Sequence, residues 1–185
     1  MAQMILGIDV GATSIKAGLF ATNGRLIALA NRRNAPEQDP SGQPGWMIWN
    51  PDTLWTNVCA CIQEVVAKSD GADQVRSVAC TGFGTDGLPM SKSGEPLYPF
   101  ISWHCGRTVP QREKMAGRVS DLEAFQITGY HNYHINTANR FLWFREHQPK
   151  VLDRAHRWLW VQDYIAHKLS GEFSTEYTIA STAML

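Results

Sequence analysis

The stretch Met4–Phe20 constrains the fold more than any other part of this sequence. Its apolar runs Met4–Ile8 and Ile15–Phe20 predict two short strands. The intervening residues Asp9–Ser14 predict a tight turn, in which Gly11 permits backbone angles that a side chain would forbid. The chain is therefore expected to open with a β-hairpin.

The residues of this turn suit phosphate binding. Exposed N–H groups and hydroxyls in a glycine-containing turn can cradle phosphate oxygens, so Gly11, Thr13 and Ser14 are candidate ligands, and Lys16 adds a positive charge. Asp9, at a strand end, can hold a magnesium ion through its waters. The sequence has neither GxxxxGK[ST] nor a GxGxxG that opens a helix, which excludes Walker and Rossmann loops. A plain hairpin with an incidental aspartate explains the turn alone equally well.

Composition narrows the class of protein. The chain has 185 residues, of which 44% are hydrophobic, so a globular domain with a proper core is expected. Lys+Arg and Asp+Glu both total 17, a balance that argues against nucleic acid or an acidic membrane as the main partner. No apolar run approaches the roughly 18 residues of a membrane span, and no export signal is recognisable. We therefore expect a cytoplasmic protein with free cysteines.

The order of elements predicts an α/β fold with a mixed sheet. A third strand, Arg25–Asn31, follows the turn pair Asn23-Gly24, so three antiparallel strands open the chain. Asn34–Asn50 is expected to be a loop, and Asn50-Pro51 begins a helix. Helix–strand alternation follows. The remaining predicted strands are Val75–Cys80, expected to be buried, Leu88–Met90, Leu97–Trp103 and Trp158–Val161; the remaining helices are Arg107–Arg118, Ser120–Gln126, Thr137–His147 and Gln162–Leu169.

Polar and aromatic residues in the second half of the sequence suit a sugar. Asp86 lies in a glycine-rich turn after a predicted strand, where α/β folds bind ligands, and can accept hydrogen bonds from vicinal hydroxyls. Trp103 offers an apolar face to a sugar ring, Arg107 offers a fixed fork of donors, and Asn136 is either a helix cap or a ligand donor. The alternatives are a self-capping turn at Asp86, a core tryptophan, and an arginine paired with a carboxylate.

Taken together, these motifs resemble the FGGY family of carbohydrate kinases. The hairpin Gly7–Lys16 is similar to that family's first phosphate loop, and Ile101–Thr108 is similar to its sugar-side strand end. Arg140-Phe-Leu-Trp143 is similar to its K-x-x-W signature, with arginine in place of the usual lysine. Two further stretches resemble the family in order along the chain: Gly45–Trp55 and Asp163–Ser181.

The resemblance implies an actin-like (ribonuclease H-like) ATPase fold, with a mixed sheet opening on three antiparallel strands and helices on both faces. It also implies an ATP- and Mg²⁺-dependent kinase that phosphorylates a ketose hydroxyl. On this basis Asp9 is expected at the magnesium ion. The expected phosphate ligands are Gly11, Thr13, Ser14 and Lys16, and the expected sugar ligands are Thr85, Asp86, Trp103, Arg107 and Asn136.

The resemblance also implies that residues 1–185 are the N-terminal domain alone. In the family, a second, C-terminal domain carries the adenine pocket and the general-base aspartate, so no catalytic residue is expected in this chain. The isolated chain is then expected to bind weakly and to catalyse little. A domain cut before its partner exposes apolar surface, which makes a homodimer possible.

The substrate is left open by the residues themselves. Within the family, Thr81–Gly87 and Leu97–Thr108 most resemble members that act on L-fuculose. L-Rhamnulose, D-xylulose and D-ribulose are alternatives, whereas glycerol-specific members carry Arg-Glu in place of Gly84-Thr85. A truncated, non-catalytic sugar-binding or dimerisation module and another actin-like ATPase are the competing interpretations.

Overall fold

A computed structural model describes residues 3–40, 43–69 and 71–185 of the chain. The chain divides into two compact units. The first comprises Met1–Ala35 and Asn50–Phe83, and the second comprises Pro36–Trp49 and Gly84–Leu185. That residues 1–185 form one N-terminal domain remains a prediction.

Strands predominate in the first half of the described chain and helices in the second. The strands are β1 (Met4–Val10), β2 (Ser14–Ala21), β3 (Leu26–Arg33), β4 (Glu37–Gln38), β5 (Met47–Trp49), β6 (Val75–Gly82), β7 (Gly87–Met90), β8 (Phe100–Ile101) and β9 (Arg157–Trp160). The helices are α1 (Pro51–Ala67), α2 (Val109–Ala116), α3 (Asp121–Thr128), α4 (Thr137–His147), α5 (Pro149–Arg154), α6 (Val161–Ser170) and α7 (Tyr177–Ala180). None of the helices in the described residues combines the length and hydrophobicity needed to cross a bilayer.

The first unit is built on a four-stranded sheet in the order β3-β2-β1-β6. The pairs β1–β2 and β2–β3 are antiparallel, and β6 runs parallel to β1. The sheet is therefore mixed and opens with three antiparallel strands, which confirms both predictions. The turn between β1 and β2 is shorter than predicted, because Asp9 and Ser14 already belong to the strands.

Helix α1 begins where the sequence predicts. The side chain of Asn50 accepts hydrogen bonds from the backbone N–H groups of Asp52 and Thr53, and Pro51 occupies the first helical position. Leu54, Val58, Cys61 and Val65 recur at helical spacing and are buried. This apolar face packs the helix against β2 and β3.

The opposite face of this sheet is open. Within the described residues of the first unit, α1 covers one face. Ile5 and Leu29 on the other face are 38% and 51% exposed. The burial predicted for Val75–Cys80 is wrong, because β6 has β1 as its strand neighbour in the described residues and lies at the sheet edge, with residues 76–79 exposed.

The second unit contains two small sheets and the other helices. One sheet has the order β4-β5-β8, and β7 pairs antiparallel with β9. The predicted loop Asn34–Asn50 thus contributes two strands, and its residues 41 and 42 lie outside the described part. The predicted strand Leu97–Trp103 is reduced to β8. Helices α5 and α7 were not predicted, and α4 has the predicted bounds.

An aromatic core holds the second unit together. Ile101, Cys105, Trp143 and Phe144 are buried, and Trp46, Tyr98 and Trp158 pack against them. Trp143 lies edge-on to Phe144 and to Trp46, at centroid distances of 5.2 and 5.7 Å. Such edge-to-face pairs are favourable beyond the area that they bury. This core carries the segment that follows β8, which includes two of the predicted sugar ligands.

Candidate phosphate and sugar sites

The β1–β2 hairpin presents one acid and one base side by side. Asp9 lies directly opposite Lys16 in the strand register, and Lys16 Nζ is 3.9 Å from Asp9 Oδ2. About half of each side chain is exposed. Exposed pairs of this kind contribute little to stability, so either side chain can leave the other at little cost in free energy. Both remain available to a bound anion and its cation.

The turn between these strands is tightly braced. The N–H of Gly11 donates to the carbonyl of Ser14 at 2.9 Å, and a Cβ on Gly11 would lie only 2.8 Å from that oxygen. Asn34 braces the turn from the end of β3, since its backbone N–H donates to the Thr13 carbonyl and its Nδ2 to the Gly11 carbonyl, both at 2.9 Å. Sequence reasoning missed Asn34, which is remote in sequence and follows two arginines.

Asp9 fits only one kind of metal site. Among the described residues there is no group of three or more His, Cys, Asp or Glu side chains that could hold a metal ion. Mg²⁺ does not require such a cage, because it is commonly held by one or two carboxylates together with waters and substrate phosphates. A single exposed carboxylate beside a braced turn therefore suits a magnesium ion that arrives with a nucleotide.

A shallow apolar hollow lies beside this hairpin, on the open face of the sheet. Its volume is about 380 Å³. Asp9 and Lys16 stand at this hollow together with Gly18, Phe20 and Thr81. A Cβ on Gly18 would lie 2.8 Å from the ring of Phe20, so the glycine keeps the hollow open.

In the second unit, Asp86 is a fully buried hydrogen-bond acceptor. Its Oδ2 accepts from the indole Nε1 of Trp49 at 2.8 Å and from the backbone N–H of Trp103 at 3.0 Å. Its Oδ1 forms an ion pair with Arg140, whose side chain is also fully buried. Burial raises the pKa of Asp86 above its ordinary value, while Arg140 and the two N–H donors oppose that rise. The Asp86 carboxylate thus binds these distant partners and does not cap its own turn, which was the alternative interpretation.

Arg140 binds a second group in the same turn. Its guanidinium also donates to the backbone carbonyl of Thr85 at 2.5 Å. Thr85 has a φ of 69°, in the left-handed region that favours glycine. Neither Arg140 nor Trp49 was predicted as a site residue. Two features of the sequence could have indicated these residues: arginine replaces the usual lysine at position 140, and Trp49 lies close to Trp46 in an aromatic segment.

Trp103 is the most exposed of the predicted sugar ligands. It is 40% exposed, and its ring stacks on His104 at a centroid distance of 3.7 Å. His104 is itself held by Ser102, whose hydroxyl oxygen accepts from the His104 backbone N–H and lies 3.2 Å from its Nδ1. One face of the indole is thus covered, and the exposed remainder suits the C–H surface of a sugar ring.

Arg107 has no free donor fork. Its side chain is fully buried and forms an ion pair with Asp39 at 2.6 Å. Its guanidinium carbon lies 4.3 Å from the ring centroid of Trp46 and 5.3 Å from that of Trp143. Its NH1 donates to the hydroxyl of Tyr98 at 3.1 Å. An arginine paired with a carboxylate was the alternative interpretation of this residue, and the geometry matches it.

Asn136 precedes α4 without capping it through its side chain. Its Oδ1 accepts from the backbone N–H of Tyr133 at 2.6 Å, and its Nδ2 donates to the carbonyl of Thr182 at 2.9 Å. Both polar atoms of this buried amide therefore bind protein groups. Thr85, Asp86 and Trp103 form one hydrogen-bonded group, whereas Arg107 and Asn136 engage other partners.

The sequence and the fold both match carbohydrate kinases. Residues 4–185 match the N-terminal domain of the FGGY family of carbohydrate kinases. L-Fuculokinase of Escherichia coli (strain K12) is 32% identical over 183 residues, which are 99% of this chain and 38% of that protein. The chain thus spans well under half of the length of this relative.

Solved structures share the fold at low sequence identity. Gluconate kinase from Lactobacillus acidophilus superposes with a TM-score of 0.89 at 21% identity, over 100% of this chain and 36% of that one. Plasmodium falciparum glycerol kinase with ADP has a TM-score of 0.85 at 20% identity, over 100% of this chain and 38% of that one. These likenesses confirm the predicted actin-like ATPase fold. With a family match over nearly all of its residues, the chain belongs to the FGGY family of carbohydrate kinases.

Proposed function

We propose that this chain is the sugar- and phosphate-binding N-terminal domain of an ATP-dependent kinase that phosphorylates a hydroxyl of a ketose, with L-fuculose as the first candidate. The observation that carries the proposal is the exposed indole of Trp103, whose backbone is fixed by the buried carboxylate of Asp86. An aromatic ring held in place beside a buried polar group is a common way to bind a small polar ligand.

The hairpin supplies the phosphate side of the proposal. Thr13 and Ser14 offer hydroxyls to phosphate oxygens, and Lys16 neutralises their charge. Gly11 contributes by shaping the turn, because its own N–H is bonded to the Ser14 carbonyl. Asp9 would hold Mg²⁺ through its waters, and the ion would supply further neutralisation of the phosphates. Phosphoryl transfer depends mainly on alignment and charge neutralisation, which are the properties that a braced hairpin can supply.

The sugar side divides into contact residues and supporting residues. We assign Trp103 to direct contact, because it is exposed. Thr85 itself is buried, so its turn is assigned to the contact surface through the exposed Gly84, and this turn is joined to Trp103 through Asp86. Asp86, Arg107 and Asn136 are buried, and their polar groups bind protein partners. We therefore assign these three to supporting the contact surface, in place of the direct contact that the resemblance implied.

L-Fuculose is favoured by the relative that is 32% identical to this chain over 183 residues. The relative's name says what that protein acts on, and the same substrate is a proposal here. L-Rhamnulose, D-xylulose and D-ribulose are the competing ketoses.

Calorimetric titration of the chain with each ketose and with glycerol, with and without MgATP, tests the proposal. We expect heat with L-fuculose, and we expect Trp103→Ala to weaken that binding by about tenfold, or about 1.4 kcal/mol. Tyr177→Ala is the matched control, because it removes an aromatic ring that is 94% exposed and belongs to neither site.

Two results would contradict the proposal. A folded chain that binds none of these sugars, with or without MgATP, would overturn the sugar site. A chain that binds L-fuculose equally well after Trp103→Ala would overturn the assignment of Trp103. Sugar binding with no response to MgATP would instead favour a non-catalytic sugar-binding module.

A further inference from the structure

We propose that Arg140 is a positioning residue that fixes both contact segments of the sugar site, the turn at Thr85 and the backbone of Trp103, through one buried ion pair with Asp86. The inference rests on the proposed sugar-binding function, which supplies the reason why these two segments must be held together. Arg140 itself is fully buried, so its effect on a ligand is transmitted through the residues that it binds.

The first connection runs from α4 to the turn before β7. Arg140 NH1 donates to the Thr85 carbonyl at 2.5 Å, and its NH2 pairs with Asp86 Oδ1. A planar guanidinium can bind two acceptors at once in a fixed geometry, which an ammonium group cannot do equally well. Since Thr85 has a φ of 69°, the bond to its carbonyl holds a backbone conformation that the residue does not favour by itself.

The second connection passes through the carboxylate of Asp86. While Oδ1 is held by Arg140, Oδ2 accepts from the backbone N–H of Trp103 at 3.0 Å. Trp103 lies just beyond the end of β8, where no strand partner holds its backbone in the described residues. The carboxylate therefore fixes the Trp103 backbone beside Ser102, whose own N–H donates to the Met47 carbonyl at 3.0 Å, and Arg140 holds the orientation of the carboxylate.

Trp49 adds a second donor to the same oxygen. Its indole Nε1 lies 2.8 Å from Asp86 Oδ2. With donors on both oxygens, the carboxylate cannot rotate without losing several hydrogen bonds at once in a site that water does not reach. The network therefore holds Trp103 in one position before any sugar arrives.

The test compares variants that change the network with one that changes only surface charge. The double substitution Asp86→Asn with Arg140→Met removes both charges, which avoids leaving either one buried and unpaired. Arg140→Lys keeps the charge but cannot bridge both acceptors in the same geometry. Arg154→Met is the matched control, because it removes an exposed arginine at the end of α5.

The first readout is the accessibility of the Trp103 ring, measured by acrylamide quenching of tryptophan fluorescence without sugar. The contribution of Trp103 is isolated by repeating each measurement in a Trp103→Phe background. We expect quenching of Trp103 to increase in the double variant, to increase less in Arg140→Lys, and to stay unchanged in Arg154→Met. A role confined to stability would leave this accessibility unchanged in folded variants.

The second readout is the affinity for the sugar that the wild-type chain binds. We expect the dissociation constant to rise about tenfold in the double variant and severalfold in Arg140→Lys, with thermal unfolding showing that each variant is folded. If the double variant fails to fold, Arg140→Lys carries the test by both readouts. Folded variants with wild-type quenching and wild-type affinity would overturn the inference.

The two proposals fail in different ways. A wild-type chain that binds no sugar overturns the proposed function, whereas the quenching of Trp103 still reports whether Arg140 fixes its position. A chain that binds sugar but shows unchanged Trp103 quenching in the Arg140 variants overturns the positioning role alone.

Discussion

Arg107 and Asp39 form a buried ion pair at 2.6 Å, with the guanidinium carbon 4.3 and 5.3 Å from the ring centroids of Trp46 and Trp143. The pair joins the segment after β8 to the region between β4 and β5. Its burial shows why a residue with a suitable donor fork for sugar binding is occupied with holding its own unit together. The ion pair with Asp39 therefore supports a structural role for Arg107, not a role as a sugar ligand.

We predict that Arg107→Ala destabilises the chain by about 3–5 kcal/mol, because it removes the guanidinium that pairs with the buried carboxylate of Asp39. Urea unfolding monitored by circular dichroism measures the change. Arg154→Ala, which removes an exposed arginine, is expected to change the free energy of unfolding by no more than about 0.5 kcal/mol. If Arg107→Lys leaves stability unchanged but weakens sugar binding, Arg107 is a sugar ligand after all.

We predict that substitutions of Asp9 and Lys16 in the β1–β2 hairpin have different effects on nucleotide binding. Asp9→Asn should remove the increment in ATP affinity that Mg²⁺ provides, about tenfold, because the carboxylate is the proposed contact to the ion. Lys16→Met should weaken ATP binding with or without Mg²⁺, since it removes positive charge from the phosphates. Titration calorimetry with and without Mg²⁺ distinguishes the two, and Asp73→Asn is the control on an exposed acid in the same unit. Equal effects of all three substitutions would contradict the assignment.

Gly11 cannot carry a side chain without moving the turn. A Cβ there would lie 2.8 Å from the backbone oxygen of Ser14, so Gly11→Ala is expected to destabilise the chain by about 1–3 kcal/mol and to weaken ATP binding. Gly7→Ala is the matched control in β1, the strand that leads into the turn, because its Cβ would meet Phe20 at an ordinary 3.6 Å. Chemical unfolding and ATP titration measure both effects. Wild-type values for Gly11→Ala would show that the turn adapts freely.

Asp163 gives the stability of the chain a pH dependence. Burial raises the pKa of this carboxyl, while hydrogen bonds from the Thr175 hydroxyl at 2.7 Å and the Trp160 backbone N–H at 3.3 Å oppose the rise. A pKa that is higher in the folded than in the unfolded chain means that the folded state binds the proton more tightly. The resulting stability is present at low pH and is lost as the pH rises through the folded pKa.

We predict that Asp163→Asn removes this loss, because an amide in the same position does not titrate. The measurement is the free energy of unfolding from pH 4 to pH 7 for both proteins, so that the difference between them isolates Asp163 from the other acids. We expect the variant to gain stability relative to the wild type as the pH rises. A difference that is constant with pH, or that changes in the opposite direction, would contradict the prediction.

Local sequence patterns predicted the elements that depend on local rules. Two apolar runs on either side of a glycine turn predicted β1 and β2, and an asparagine cap followed by Pro51 predicted the start of α1. The same patterns failed for β6, whose apolar composition indicated burial although the strand lies at an exposed edge. Strand composition reports propensity, whereas burial depends on which neighbours a strand acquires.

The sequence by itself determined the family, the mixed sheet and the opening hairpin, because these follow from local motifs and from the order of elements along the chain. Only the tertiary structure decided which polar side chains are exposed to a ligand and which are partners of one another. Asp86 meets Arg140 and Arg107 meets Asp39 across 54 and 68 sequence positions, respectively. A buried charge must be paired, and the partner is chosen by packing between distant segments, which no local pattern records.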